Sequence, residues 1–193
     1  MNAYFCCFWG IVYASLLEFF PKKRARNYTS FLHSVSCVVL TSFYKINYDI
    51  LYNLSLGYFI YDTIFILLYS LKREQLYLYH HGVMFVVLKE LHHKEQNILV
   101  SILKIGELSN FFTYIVYDML KQNIVFYIEI VELIQLLWFG YFRIYISTIL
   151  LFSKFNILKE LLSFYPLLSL YSLGYIWTFG QFKKLIIYNE EIN

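Results

Sequence analysis

Seven apolar runs alternate with short polar breaks along the chain, near 3–20, 28–45, 50–71, 75–91, 97–120, 124–152 and 157–182. An α-helix needs about 20 mainly apolar residues, with a range of about 17–25, to cross a bilayer. The pattern therefore predicts an all-α, multi-pass transmembrane bundle of about seven spans. The fourth run is short, from Gln75 to Leu91, and the sixth is long enough to tilt. Six spans result if the first helix is peripheral or the fourth re-entrant. The breaks are PKKRARN at 21–27, KIN at 45–47, KRE at 72–74, LHHKEQ at 91–96, KQN at 121–123 and SKFN at 153–156. None is long enough to hold a second domain.

Composition strengthens this reading. The chain has 193 residues, of which 60% are apolar and 15% charged, with 19 Phe and 20 Tyr. Its mean hydropathy is +0.55. A soluble domain of this size has roughly 45–50% apolar and about 25% charged residues. A water-facing surface would be short of charge here, and disorder is excluded for the same reason. The formal net charge of +3 comes from scattered Lys and Arg and gives no support to nucleic-acid binding. Cys6, Cys7 and Cys37 form no Cys-x-x-Cys and are odd in number, so no closed disulfide framework is expected. They read as small apolar residues of membrane helices, with palmitoylation of Cys6 or Cys7 as the alternative. No basic region precedes the first apolar run, which argues against a cleaved signal peptide.

Charge also orients the spans. Seven crossings put Lys22, Lys23, Arg24, Arg26, Lys72, Arg73, Lys121, Lys183 and Lys184 on one side. Lys45, Lys89, Lys94, Lys154 and Lys159 fall on the other, nine against five. By the positive-inside rule the N-terminus is expected to be lumenal or external and the C-terminus cytosolic. The sequons at Asn27 and Asn53 then lie on the cytosolic side and inside a span, and both are expected to be unused.

Ionisable residues within spans are costly and usually face the bundle interior. Those near span ends, Glu18, Lys72, Lys89, Asp118 and Glu129, are accounted for by snorkelling to the interface. The deeper ones follow helical spacing, in which positions three, four, seven or eleven apart share a face. Ser55, Tyr58 and Asp62 form one stripe; Lys104, Glu107, Asn110, Tyr114 and Asp118 a second; Glu132, Gln135, Phe139 and Arg143 a third. Three polar stripes predict one shared interior cavity, with Lys104 and Arg143 charge-paired inside the bundle. The structural alternative is a set of buried ion pairs that fix helix register.

His80 and His81 sit in the fourth run. Adjacent residues point about 100° apart, so one His is expected to face the cavity squarely and the other to hold it or meet a neighbouring helix. Histidine transfers protons near neutral pH and can accept an acyl group. A carboxylate such as Asp62 would fix its tautomer and raise its basicity. His92 and His93 follow too far along the helix, about 16 Å, to share a metal with the first pair. They read as part of a solvated loop with Lys89 and Lys94, and neither a metal nor a cofactor is expected.

The order of these motifs resembles the TLC-domain family, which includes the ceramide synthases and their non-synthase relatives. The resemblance runs over roughly 22–182. It rests on the basic stretch before Asn27-Tyr28-Thr29-Ser30 with His33, on SLGYFIYD at 55–62, on His80-His81, on GELSNFF at 106–112 and on the aromatic segment ending in Arg143. It implies a six-helix barrel around a lipid-accessible cavity, preceded by an extra helix: 1–21 as the N-terminal helix, 22–184 as the TLC-like domain and 185–193 as a short tail. It also implies an endoplasmic reticulum or other internal membrane. In the synthases, which join an acyl-CoA to a sphingoid amine, the paired histidines are tied to catalysis. Carried over, His80 or His81 would be base or acyl acceptor and Asp62 would orient it. His33, Tyr58, Glu107, Asn110 and Arg143 would line a lipid-binding cavity. The synthases' H-D-x-x-D stretch is here Gly106-Glu107-Leu108-Ser109-Asn110, and Tyr117 stands where a downstream lysine would fall. The Glu-Leu-Ser pattern is closer to the relatives implicated in membrane lipid composition, trafficking or cargo handling. Two readings follow: a lipid-binding membrane protein of lipid metabolism or homeostasis, and a ceramide-synthase-type acyltransferase. Partners are then a membrane lipid, acyl-CoA or a sphingoid base. A small transporter is the weaker third, because no clear inverted repeat is visible.

Overall fold

A computed structural model of the chain describes residues 2–42, 47–124 and 127–192, with side chains from Ala3 to Lys184. Lys45, the end of the run at 28–45 and part of the break at 45–47 lie outside the described residues, as does Asn193. Regular structure among the described residues is entirely helical. The helices are α1 (Asn2–Leu17), α2 (Lys22–Ser42), α3 (Tyr48–Tyr69), α4 (Gln75–Lys94), α5 (Gln96–Lys121), α6 (Ile128–Ser153), the single turn α7 (Phe155–Leu158) and α8 (Phe164–Ile192). Three of them, α3, α5 and α6, are long and apolar enough to cross a membrane. The segment 185–192, expected as a tail, continues α8.

Local chemistry places the ends. Pro21 disfavours helix at the residue before it, so α1 stops, and its carbonyl accepts the first bonds of α2 from Arg24 and Ala25. Asn47 caps α3, its side chain accepting from the Ile50 N–H at 3.0 Å. Beyond α5, Asn123 takes φ 55°, the left-handed conformation that asparagine tolerates after a helix end. Pro166 falls in the first turn of α8, where its missing N–H costs no helical bond.

These ends correct two expectations. The basic stretch 21–27 is not a break, because α2 begins at Lys22 and carries Arg24 and Arg26 on its first turns. His92 and His93 are not in a solvated loop either, since α4 runs to Lys94. His92 stacks on Tyr52 with ring centroids 4.1 Å apart and sits 3.2 Å from Asp49.

Antiparallel packing gives the bundle two ends. At one, Arg24 meets Asp118, Lys22 lies over the Tyr69 ring, and Lys184 bonds Glu132. At the other, Tyr48 donates to Asn97, and Glu90 accepts the N–H groups of Leu162 and Ser163 just ahead of α8. Lys22, Arg24 and Lys184, which charge counting puts on one side, thus share one end. α1 lies along α3 and α2 along α5, around a core that includes Trp9, Cys37, Leu51, Leu88 and Leu99. The outward faces are apolar instead of charged: Leu68 on α3, Leu137 and Phe152 on α6 and Phe179 on α8 are 65–79% exposed. Such continuous apolar exposure is unusual for a water-soluble monomer.

The α1–α3 contact depends on Gly57. A Cβ there would lie 2.5 Å from the Phe5 Cβ and 2.7 Å from its carbonyl carbon. Small residues of this kind let membrane helices approach closely. Gly57→Ala is expected to destabilise the fold by about 1–3 kcal/mol through overpacking against backbone. Gly10→Ala, where a Cβ would meet nothing within 4 Å, should melt like the parent or higher. Thermal unfolding in detergent compares the two, and equal melting points would contradict the close approach.

Candidate functional site

A cavity of about 1070 Å³ lies inside the bundle and reaches the end that carries Lys22, Lys23 and Lys184, which line it. Ligand pockets commonly measure about 300–1,000 Å³. Its wall changes character with depth. Ordered along the helices, the lining runs from those lysines and Glu74, through a belt of Arg26, Tyr58, Asp62, His80, His81, Glu107, Asn110 and Arg143, to Leu103, Leu150, Leu151, Leu167 and Leu170, with Ser147 and Tyr171 among them.

The polar stripes read from the sequence meet here in part. From α3, Tyr58 and Asp62 reach the cavity, and from α5, Glu107, Asn110 and Tyr114 do. From α6 it is Phe139 and Arg143. Other members of each stripe bind neighbouring helices. Ser55 is buried against the Cys37 sulfur at 3.3 Å, Gln135 donates to Thr113 at 3.1 Å, and Glu132 bonds Lys184. Asp118, at the basic end, accepts through Oδ1 from Arg24 Nε at 2.9 Å.

His81 and His80 both line the cavity. His81 is 4% exposed, with Nε2 3.5 Å from Asp62 Oδ2 and Nδ1 3.3 Å from Thr63 Oγ1. His80 sits 5.7 Å from His81 and 6.0 Å from Trp177, ring centre to ring centre. Its Nδ1 is buried and has no hydrogen-bond partner among the described residues.

Asp62, however, is not devoted to a histidine. Arg26 grips it with two parallel bonds, Nε to Oδ1 at 2.6 Å and Nη2 to Oδ2 at 2.9 Å, and reaches Glu74 with Nη1. This bidentate fork is the strongest geometry for a charge-assisted pair. Sequence reasoning missed Arg26 by assigning it to a break. The available signal was the helical spacing of Arg26, Ser30, His33 and Cys37, which carries the second helix's polar face back to the basic stretch.

His33 lies behind the wall, fully buried. It stacks on Tyr58 with ring centres 3.9 Å apart, meets the Cys37 sulfur through Nε2 at 3.3 Å and faces Glu107 Oε1 through Nδ1 at 3.6 Å. Tyr58 in turn donates to Ser30 Oγ at 2.7 Å. His33 therefore backs one lining residue, Tyr58, while its Nδ1 has no hydrogen-bond partner among the described residues.

The expected charge pairing of Lys104 and Arg143 is not found. No carboxylate lies within 4 Å of either among the described residues, and Lys104 does not line the cavity. Arg143 Nε donates to Ser109 Oγ at 2.7 Å, and Nη2 approaches the Gly106 carbonyl at 3.4 Å. Glu107, one turn from Lys104, has its Oε1 3.6 Å from His33 Nδ1 instead. No group of three or more His, Cys, Asp or Glu side chains is arranged to hold a metal ion among the described residues.

Comparison of the chain with family models, with curated proteins and with solved structures finds no match.

Proposed function

We propose that this chain is an integral membrane protein of TLC type that holds a membrane lipid or acyl chain in its cavity and acts in lipid metabolism or membrane lipid homeostasis. On this reading α1 to α6 and α8 all cross the bilayer, with six helices around the cavity and α1 against their outside. The basic end faces the cytosol and the N-terminus the lumen of the endoplasmic reticulum or another internal membrane. The observation that carries the reading is the depth profile of the cavity, a polar belt ending in a leucine-lined chamber, which matches an amphiphile with one head and one tail. The apolar outer faces of α3, α6 and α8 support the bilayer placement.

Acyl transfer from acyl-CoA to a sphingoid amine is the second reading, and the unpartnered buried Nδ1 of His80 beside His81 is what favours it. Against it stands Asp62, whose two oxygens are bonded by Arg26 instead of being devoted to His81. The test is lipid analysis and acyl-transfer assay of the purified protein in nanodiscs, with the His80→Ala/His81→Ala variant alongside. The expected result is co-purified lipid in both proteins and no product in either. Product from the parent, lost in the variant, would replace lipid holding by catalysis and assign the histidines to it.

A further inference from the structure

Arg143 is placed with unusual care for a residue that pairs with no carboxylate. It lies in a π-helical segment of α6, Tyr141–Ile146, where one extra residue widens the helix. Segments of this kind occur most often at functional sites, because the bulge re-aims side chains. α8 passes close enough that a Cβ on Gly174 would lie 3.4 Å from the Arg143 Cβ. The Phe139 ring supports the guanidinium from one side, 5.6 Å from its centre. Of five guanidinium N–H donors, only Nε–H and one on Nη2 have acceptors among the described residues. The rest are available to the cavity.

The other cations of the cavity wall differ. Arg26 is taken by Asp62 and Glu74, Lys184 by Glu132, and Lys22 lies over Tyr69, while Lys23 is exposed at the basic end. The Glu107 carboxylate lies beside His33, with Oε1 3.6 Å from Nδ1, and not within 4 Å of Arg143. A free fork therefore stands at the level where the polar belt ends. From Arg143 a mainly apolar chamber extends to Leu151, about 12 Å along α6, with Leu103, Leu167 and Leu170 on its wall beside Ser147 and Tyr171.

We infer that Arg143 anchors the anionic head group, a carboxylate or a phosphate monoester, of a single-tailed amphiphile whose chain fills the leucine-lined chamber. The inference rests on the lipid-holding reading and names its ligand class. A planar guanidinium receives either head by two parallel hydrogen bonds, which an ammonium cannot do. The lysines at the mouth raise the local concentration of anions entering from that side.

The test measures binding to the full chain in nanodiscs of neutral lipid. Probes are fatty carboxylates of increasing length, a lysophosphatidate, the matching fatty alcohol and monoacylglycerol, and inorganic phosphate alone. The anionic probes are expected to bind at least ten-fold more tightly than their neutral twins. Affinity should rise with each methylene, by up to about four-fold, until the chamber is full. Arg143→Gln should weaken the anionic probes by roughly ten- to hundred-fold and the neutral ones little, with Arg143→Lys between. Anionic and neutral probes binding alike would overturn the inference and leave lipid holding intact. A preference that survives in Arg143→Gln would move the anion to the mouth lysines and also overturn it. Inorganic phosphate binding as tightly as the amphiphiles would remove the tail from the argument. Binding of no amphiphile at all would end both readings. Should Arg143→Gln fail to fold, Leu150→Trp fills the chamber with Arg143 intact. That variant must lose the gain with chain length and keep the preference for anions, and an unchanged length dependence would overturn the inference.

Discussion

Replacing Arg26 by methionine is expected to lower the stability of the bundle by about 3–5 kcal/mol, the usual cost of removing one partner of a buried ion pair. The reason is what stays behind. The Asp62 side chain is 4% exposed and would lose both parallel bonds at once, while Glu74 would lose its one cation. Asp62 could regain a counter-charge only by a proton passing to it or to His81, 3.5 Å away. For a chain of this length that cost corresponds to a melting point lower by roughly 6–20 °C. Asp62→Asn combined with Arg26→Met should recover at least half of the loss, since neither charge is then stranded. Lys72→Met, an exposed cation at the same end, should leave the melting point where it was. Thermal unfolding of the four proteins in one detergent gives the coupling energy directly. A single variant as stable as the parent would mean that Arg26 and Asp62 do not form the pair.

That pair also shows where sequence reasoning reached and where it stopped. Helix positions were readable because apolar runs of bilayer length and their polar breaks are one-dimensional signals. The break at 72–74 lies between helices, as do Gln122 and Asn123 of the break at 121–123. His80, His81, Asp62, Tyr58, Glu107, Asn110 and Arg143 could be grouped because helical spacing puts residues on a face, and faces that are polar inside an apolar helix have to meet. Partner choice was not readable. Spacing gave Asp62 to the histidines and expected Lys104 and Arg143 to be charge-paired, whereas Arg26 takes Asp62 and Glu107 lies beside His33. Those choices depend on how α2 slides along α3 and α5, which no single helix records. The π segment was equally hidden, because a turn widened by one residue keeps the composition of an ordinary one. The resemblance to TLC-domain proteins extends the grouping to a proposed lipid function, and the assays above decide it.

Trp9→Ala is expected to cost about 3–5 kcal/mol, as loss of a large buried aromatic does. Trp9 is 1% exposed although it lies on the helix that sequence alone leaves as either a span or a peripheral element. Its indole N–H donates to the Leu54 carbonyl at 3.0 Å, and its ring meets His33 and Tyr58 edge-on, with centres 5.5 and 5.7 Å away. Truncation would leave a void beside the stacked His33–Tyr58 pair, which backs the cavity wall. Two variants separate the contributions. Trp9→Phe retains most of the packing and loses the hydrogen bond, so about 1 kcal/mol is expected. Phe8→Ala, one residue away with its side chain 47% exposed, should lie near the parent. Melting curves rank the three, and the affinity of the best amphiphile probe supplies a second readout. If α1 braces the wall through Trp9, Trp9→Ala weakens that affinity at temperatures where the protein is still folded, and Phe8→Ala does not. Equal melting points for Trp9→Ala and Phe8→Ala would detach α1 from the bundle and with it the bracing of the site.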